Sequence, residues 1–196
     1  MKPLLSTLAI CLALTRIATA DVRLPGVFSD HMVLQRDKPL AVWGWAAPGE
    51  KVMLSIPPHT AETVADASGS WSVKLASLPA GGPHEMTVTA NNTLTFRDVL
   101  VGEVWLCSGQ SNMQWPLKNA TNGDAEVTAA AHPRLRLMTI NPTTSLTPLS
   151  EPPTGGWLEC NPETAASFSA VGYFFGHHRA KTAWLTEAAR CLKSDA

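Results

Sequence analysis

Val99-Leu100-Val101-Gly102-Glu103-Val104-Trp105-Leu106 runs directly into Cys107-Ser108-Gly109-Gln110-Ser111-Asn112-Met113, and the reading of this junction decides the fold. The first part is nearly continuous in apolar side chains, the pattern of a central parallel strand covered on both faces. The run then breaks at small residues around a serine. A strand ending in a sharp turn holds such a hydroxyl out at the carboxyl edge of a sheet, where a reacting group can reach it. The spacing Gly109-x-Ser111-x-Met113 meets only half of the Gly-x-Ser-x-Gly elbow pattern. Ser111 and Gln114 also have the spacing of a capping box, so a helix cap is the competing role for Ser111. Pro116 limits any helix opening there to a turn or so before a loop.

Beyond this junction, Asp124 to Ala131 is a weak helical candidate and Leu135 to Ile140 reads as a second strand, ended by Asn141-Pro142. Thr143 to Gly156 is rich in proline, threonine and glycine, hence loop. Asn161-Pro162-Glu163 reads as a helix start with Asn161 as cap and Pro162 at the first position, and Phe168, Val171, Gly172 and Phe175 are expected to line its packed face. Strand, turn, strand, loop and helix make the opening of a wound α/β layer.

Before the junction the pattern differs. Leu40 to Trp45, Lys51 to Ile56, Trp71 to Leu75 and Glu85 to Ala90 are short strand candidates closed by turn residues such as Ala47-Pro48-Gly49, Pro57-Pro58 and Ser68-Gly69-Ser70. Turns at this interval with no helical period between them predict an antiparallel sandwich. Trp71, Val73 and Leu75 alternate with Ser72 and Lys74, so one face of that strand packs and the other meets solvent. The predicted fold class is therefore an all-β sandwich (jelly-roll or immunoglobulin-like) over residues 21–97, followed by the first part of an α/β domain over 98–176.

Residues 1–20 have the form of a signal peptide: Lys2, an apolar core from Leu4 to Leu14, and small residues at Ala18-Thr19-Ala20. Cleavage after Ala20 would make the protein secreted or periplasmic, with no membrane attachment afterwards. Basic and acidic residues balance at 15 against 16 with no basic stripe, which argues against nucleic acid as a partner. The cysteines lack metal-ligand spacing, and no metal or cofactor is expected.

A conjunction of motifs points further. Phe28-Ser29-Asp30-His31-Met32-Val33-Leu34-Gln35-Arg36, Val42-Trp43-Gly44-Trp45-Ala46, Pro48-Gly49-Glu50, Gly69-Ser70-Trp71, Gly81-Gly82-Pro83, the block Val101 to Met113, and Phe168 to Gly176 together resemble the sialate O-acetylesterase family. The resemblance runs from about Val22 to Gly176 and leaves 177–196 as a non-matching tail. It implies a secreted esterase with an SGNH-hydrolase (flavodoxin-like) α/β domain, acting on O-acetyl esters of sialic acids or other sugars. By position it makes Ser111 the acyl-accepting nucleophile and its backbone N–H an oxyanion donor. Gln110, Asn112, Met113 and Trp115 become candidates for the substrate cleft.

The same family carries a late Asp-x-x-His block that supplies the base, and no aspartate here precedes a histidine by three positions. A serine without a base is a poor nucleophile. The adjacent His177-His178 pair is the nearest substitute. The chain thus reads as holding the nucleophile block without its catalytic base. The rival readings are a non-catalytic glycan-binding sandwich using Trp43, Trp45 and Trp71, and an inactive gene fragment. Those tryptophans are expected in the core.

Overall fold

The computed structural model describes residues 20–183 and 187–193; all of the expected leader except Ala20 lies outside them. Its strands are β1 (Val33–Gln35), β2 (Leu40–Trp45), β3 (Lys51–Ile56), β4 (His59–Val64), β5 (Ser70–Leu75), β6 (Gly81–Thr89), β7 (Thr93–Gly109), β8 (His132–Ile140), β9 (Leu158–Cys160) and β10 (Glu187–Lys193). Three helices, α1 (Gly123–Thr128), α2 (Pro162–Ala166) and α3 (Ala170–Ala183), and a 3-10 turn at Leu117–Asn119 complete the described elements.

The expected pair of folds, a sandwich followed by an α/β domain, is not what forms. One curled mixed sheet of eight strands runs β4-β3-β6-β7-β10-β8-β9, with β1 also beside β7. Only β2 and β5 pair apart from it. The reason is β7, which at 17 residues passes through the expected boundary at residues 97 and 98. Its first part pairs antiparallel with β6, and its last part pairs parallel with β10, from Glu103↔Glu187 to Gly109↔Lys193. No glycine or proline separates Thr93–Arg97 from Val99–Leu106, so nothing in the chain stops the ladder. Asp98 supplies a kink instead of a break: its φ is 55°, a left-handed conformation that aspartate tolerates. The partner strand shifts register around His84 opposite this point, as a bulge does.

The core confirms the continuity. Val42, Leu54, Trp71, Met86 and Val99 pack in one cluster with Met138 and Ile140 of β8 and with Trp157. Trp157 donates from Nε1 to the Val27 carbonyl at 2.9 Å and from its backbone N–H to Ser29 Oγ at 2.9 Å, tying the loop after β8 to the amino-terminal segment. A second cluster joins Leu117, Leu135, Leu137, Phe168 and Tyr173 beneath the helices.

Local readings fare better than the fold class. The alternation along β2 and β5 holds, and Trp71 is buried. Trp43 is not core: it is 39% exposed and meets Phe28 edge-on at 4.9 Å. Trp45 is half-buried under the Arg23 guanidinium, 4.0 Å from its ring. Asn161 caps α2, accepting from the Glu163 and Thr164 N–H groups, but the helix ends at Ala166 and α3 starts afresh. Val171 and Phe175 are therefore largely exposed, while Tyr173 takes the inward place with Phe168 and Gly172.

Candidate active site at the carboxyl end of β7

Ser111 lies two residues past the last residue of β7, in a run of tight turns at the carboxyl edge of the parallel strands. Three successive bonds shape the run: Met113 N–H to the Gln110 carbonyl at 2.9 Å, Gln114 N–H to Ser111 at 3.2 Å, and Trp115 N–H to Asn112 at 3.3 Å. The capping box expected from Ser111 and Gln114 does not form, because the Ser111 side chain makes no hydrogen bond among the described residues. The residue is exposed. The N–H groups of Ser111 and Asn112 likewise donate to nothing among the described residues, as befits the opening of a turn.

The turn is braced from behind. The Ala170 N–H donates to the Trp115 carbonyl at 2.8 Å and the Leu117 N–H donates to the Phe168 carbonyl at 2.9 Å. Leu117 itself is fully buried. Ser169 Oγ lies 3.4 Å from Met113 Sδ, and the space a Cβ on Gly109 would need is 3.3 Å from Met113 Cβ. Met113 is thus a half-buried side chain packed against the strand end. Gln110, Asn112 and Trp115 are exposed around the serine, as is Gln114, which the sequence singles out only as a capping partner.

No base accompanies them: among the described residues, no imidazole or carboxylate hydrogen-bonds Ser111. The His177-His178 pair belongs elsewhere. His177 stacks on His132 at 4.2 Å, and His132 precedes Leu135, which shares its level in the sheet with Glu103. Glu103 is six residues before Gly109 on β7, so the His132 that His177 stacks on lies toward the opposite end of the strands from the turn that carries Ser111.

A second polar group escaped the sequence reading. Arg136, buried in β8, points Nη1 at three atoms: Asp98 Oδ2 at 2.5 Å, His31 Nδ1 at 3.1 Å and Glu159 Oε1 at 3.5 Å. His31, Asp98 and Glu159 have the donor atoms of a cation site, but the guanidinium already stands among them. Its hydrogen bond, with that of His31 at 2.7 Å, holds the Asp98 carboxyl down at about 2. The cluster joins the amino-terminal segment, β7, β8 and β9. Of its members only His31 lay in a quoted motif, and nothing in the spacing of the rest announced their meeting.

With the geometry established, likeness to known proteins becomes informative. No protein-family model matches the chain. The sialate O-acetylesterase of Mus musculus is 33% identical over 147 residues, and that of Homo sapiens is 34% identical over 140. The crystal structure of a carbohydrate acetylesterase from Xanthomonas citri superposes with a TM-score of 0.86 at 37% identity, covering 90% of this chain.

The chain belongs to the sialate O-acetylesterase family.

Within that family the match is partial in extent: the chain spans 27% of the length of the mouse and human proteins and 41% of the Xanthomonas citri chain. The solved relative superposes over nearly all of this chain, so the fold described here is shared with it.

Proposed function

We propose that this protein is the nucleophile-bearing part of a carbohydrate O-acetylesterase, with Ser111 attacking the acetyl carbon and the base supplied by chain outside this sequence. The observation that carries the reading is an exposed Ser111 whose hydroxyl makes no hydrogen bond among the described residues, in one turn with two N–H groups, its own and that of Asn112, that donate to nothing among them. Attack by Oγ opens the ester carbonyl to a tetrahedral oxyanion, and preorganised amides at such a turn stabilise that charge where it develops. Collapse releases the sugar hydroxyl and leaves an acetyl-serine that water hydrolyses. The base that must accept the serine proton has no counterpart beside Ser111 among the described residues, which is why activity is assigned to the longer protein. Kinship with sialate O-acetylesterases and a carbohydrate acetylesterase supports an O-acetylated sugar as substrate. The leader-like residues 1–20 support export.

The test is a hybrid in which residues 21–176 replace the matching part of the Xanthomonas citri acetylesterase. It is expected to release acetate from acetylated sugars and p-nitrophenyl acetate, and S111A is expected to lower kcat by at least about a thousandfold. Unchanged turnover by the S111A hybrid would remove Ser111 from the chemistry.

A further inference from the structure

Six tryptophans fall among the described residues, and five are either buried or have an aromatic or cationic partner at the ring. Trp71 and Trp157 are buried, Phe28 meets Trp43, the Arg23 guanidinium covers Trp45, and Phe175 stands against Trp105 at 5.2 Å. Trp115 alone of these has a ring free of any such partner, and at 53% it is the most exposed.

Its orientation is nonetheless fixed. Nε1–H donates to the Asn119 carbonyl at 2.9 Å, at the end of the 3-10 turn whose first residue, Leu117, is fully buried. The backbone on either side is held by the bonds to Ala170 and Phe168 described above. With its polar atom engaged, the indole offers solvent an apolar face and a C–H edge. It stands on the same turn as Ser111, and the side-chain amides of Gln110, Asn112 and Gln114 beside it make no hydrogen bond among the described residues.

A rigid aromatic face on a turn that also carries uncommitted neutral amides is the chemistry that recognises a pyranose: the ring's C–H face packs on the indole while its hydroxyls meet the amides. We infer that Trp115 is the platform on which the sugar of an O-acetylated pyranoside stacks as its ester is presented to Ser111. The inference rests on the esterase reading only for the class of ligand.

The test uses the full chain, ¹⁵N-labelled, titrated with methyl 6-O-acetyl-α-D-glucopyranoside and, separately, with ethyl acetate. The indole N–H signal missing from the Trp115→Phe spectrum is that of Trp115. The sugar is expected to shift it saturably and ethyl acetate to leave it in place. Read by ligand-observed saturation transfer, Trp115→Ala is expected to raise Kd at least tenfold and Trp115→Phe to change it by less than threefold. Absence of saturable sugar binding, an equal response to ethyl acetate, or an unchanged Kd in Trp115→Ala would overturn the platform. Failure of the nucleophile reading would show instead in the turnover of the S111A hybrid, which this titration does not measure.

Discussion

Arg136 Nη1 lies 2.5 Å from Asp98 Oδ2 at the point where β7 kinks, joining a nearly sealed cation in β8 to the residue whose left-handed backbone bends the longest strand. A buried guanidinium left without its carboxylate is strongly unfavourable. The Arg136 hydrogen bond, reinforced by that of His31, holds the Asp98 carboxyl at about 2. Against an unfolded value near ~3.9, that difference is worth about 2 kcal/mol. Because the folded value is depressed, the stabilisation is complete above about pH 5 and fades as pH falls toward 2. Asp98→Asn keeps the left-handed backbone and removes only the charge. Urea unfolding at pH 7 is expected to show it about 2 kcal/mol less stable, with the gap closing toward pH 2. An equal gap at both pH values would mean that the pair is not what stabilises the kink.

Gly44 tests the seam between the amino-terminal segment and the two-stranded β2–β5 sheet. Arg23 and Trp45 exchange two backbone hydrogen bonds at 2.9 Å across it, and a Cβ on Gly44 would sit 2.2 Å from the Arg23 carbonyl oxygen. Neither backbone can move without losing those bonds. Gly44→Ala is therefore expected to cost about 1–3 kcal/mol. Gly49→Ala is a useful contrast, since nothing lies within 4 Å of its added methyl and only its φ of 78° opposes it. Thermal unfolding of both variants decides the point: Gly44→Ala should lose midpoint temperature with amide exchange quickened at Arg23 and Trp45.

What was legible in the chain, and what was not, follows from the range of each signal. The turn that carries Ser111 and the cap at Asn161 depend on residues a few positions apart; the cap stands where the spacing puts it, and the turn opens at Gln110, later than the end of the apolar run, because β7 continues through Gly109. The change of pattern near Arg97 reflects a change of pairing partner along one strand. Strand β7 switches from an antiparallel to a parallel partner without any residue that ends a strand, and only Asp98 marks the place. The cluster of His31, Asp98, Arg136 and Glu159 was invisible because its members lie far apart in sequence. The capping role weighed for Ser111 had correct spacing but wrong geometry: the residues turn in i-to-i+3 steps, which leaves the hydroxyl free.

Cys160 is buried beneath the helices, its Sγ 3.9 Å from the Ala130 carbonyl, and burial pushes its thiol up to about 12. The reactive species in alkylation is the thiolate. At pH 8 its thiolate fraction is lower than that of an ordinary cysteine by on the order of a thousandfold, before any steric shielding. Iodoacetamide at pH 8 is accordingly expected to leave the Cys160 peptide unmodified in the native chain and to label it fully in urea, as read by mass spectrometry. Rapid native labelling would show that the second core opens on the timescale of the reaction.

Adjacent residues of a strand face opposite sides of the sheet. Trp105 meets Phe175 of α3, so Leu106 faces away from the helix, and it is 59% exposed. A leucine so placed contributes little to folding, whereas Val101 earlier on the same strand is fully buried. Leu106→Gln is therefore expected to change stability by no more than about 0.5 kcal/mol. Val101→Gln, which buries an amide in an apolar site, is expected to cost about 3 kcal/mol or more. Exposed apolar surface beside a strand edge favours association between copies. The Leu106→Gln chain should accordingly sediment with less dependence on concentration than the parent. A large loss of stability in Leu106→Gln would mean that this face of β7 is covered in solution.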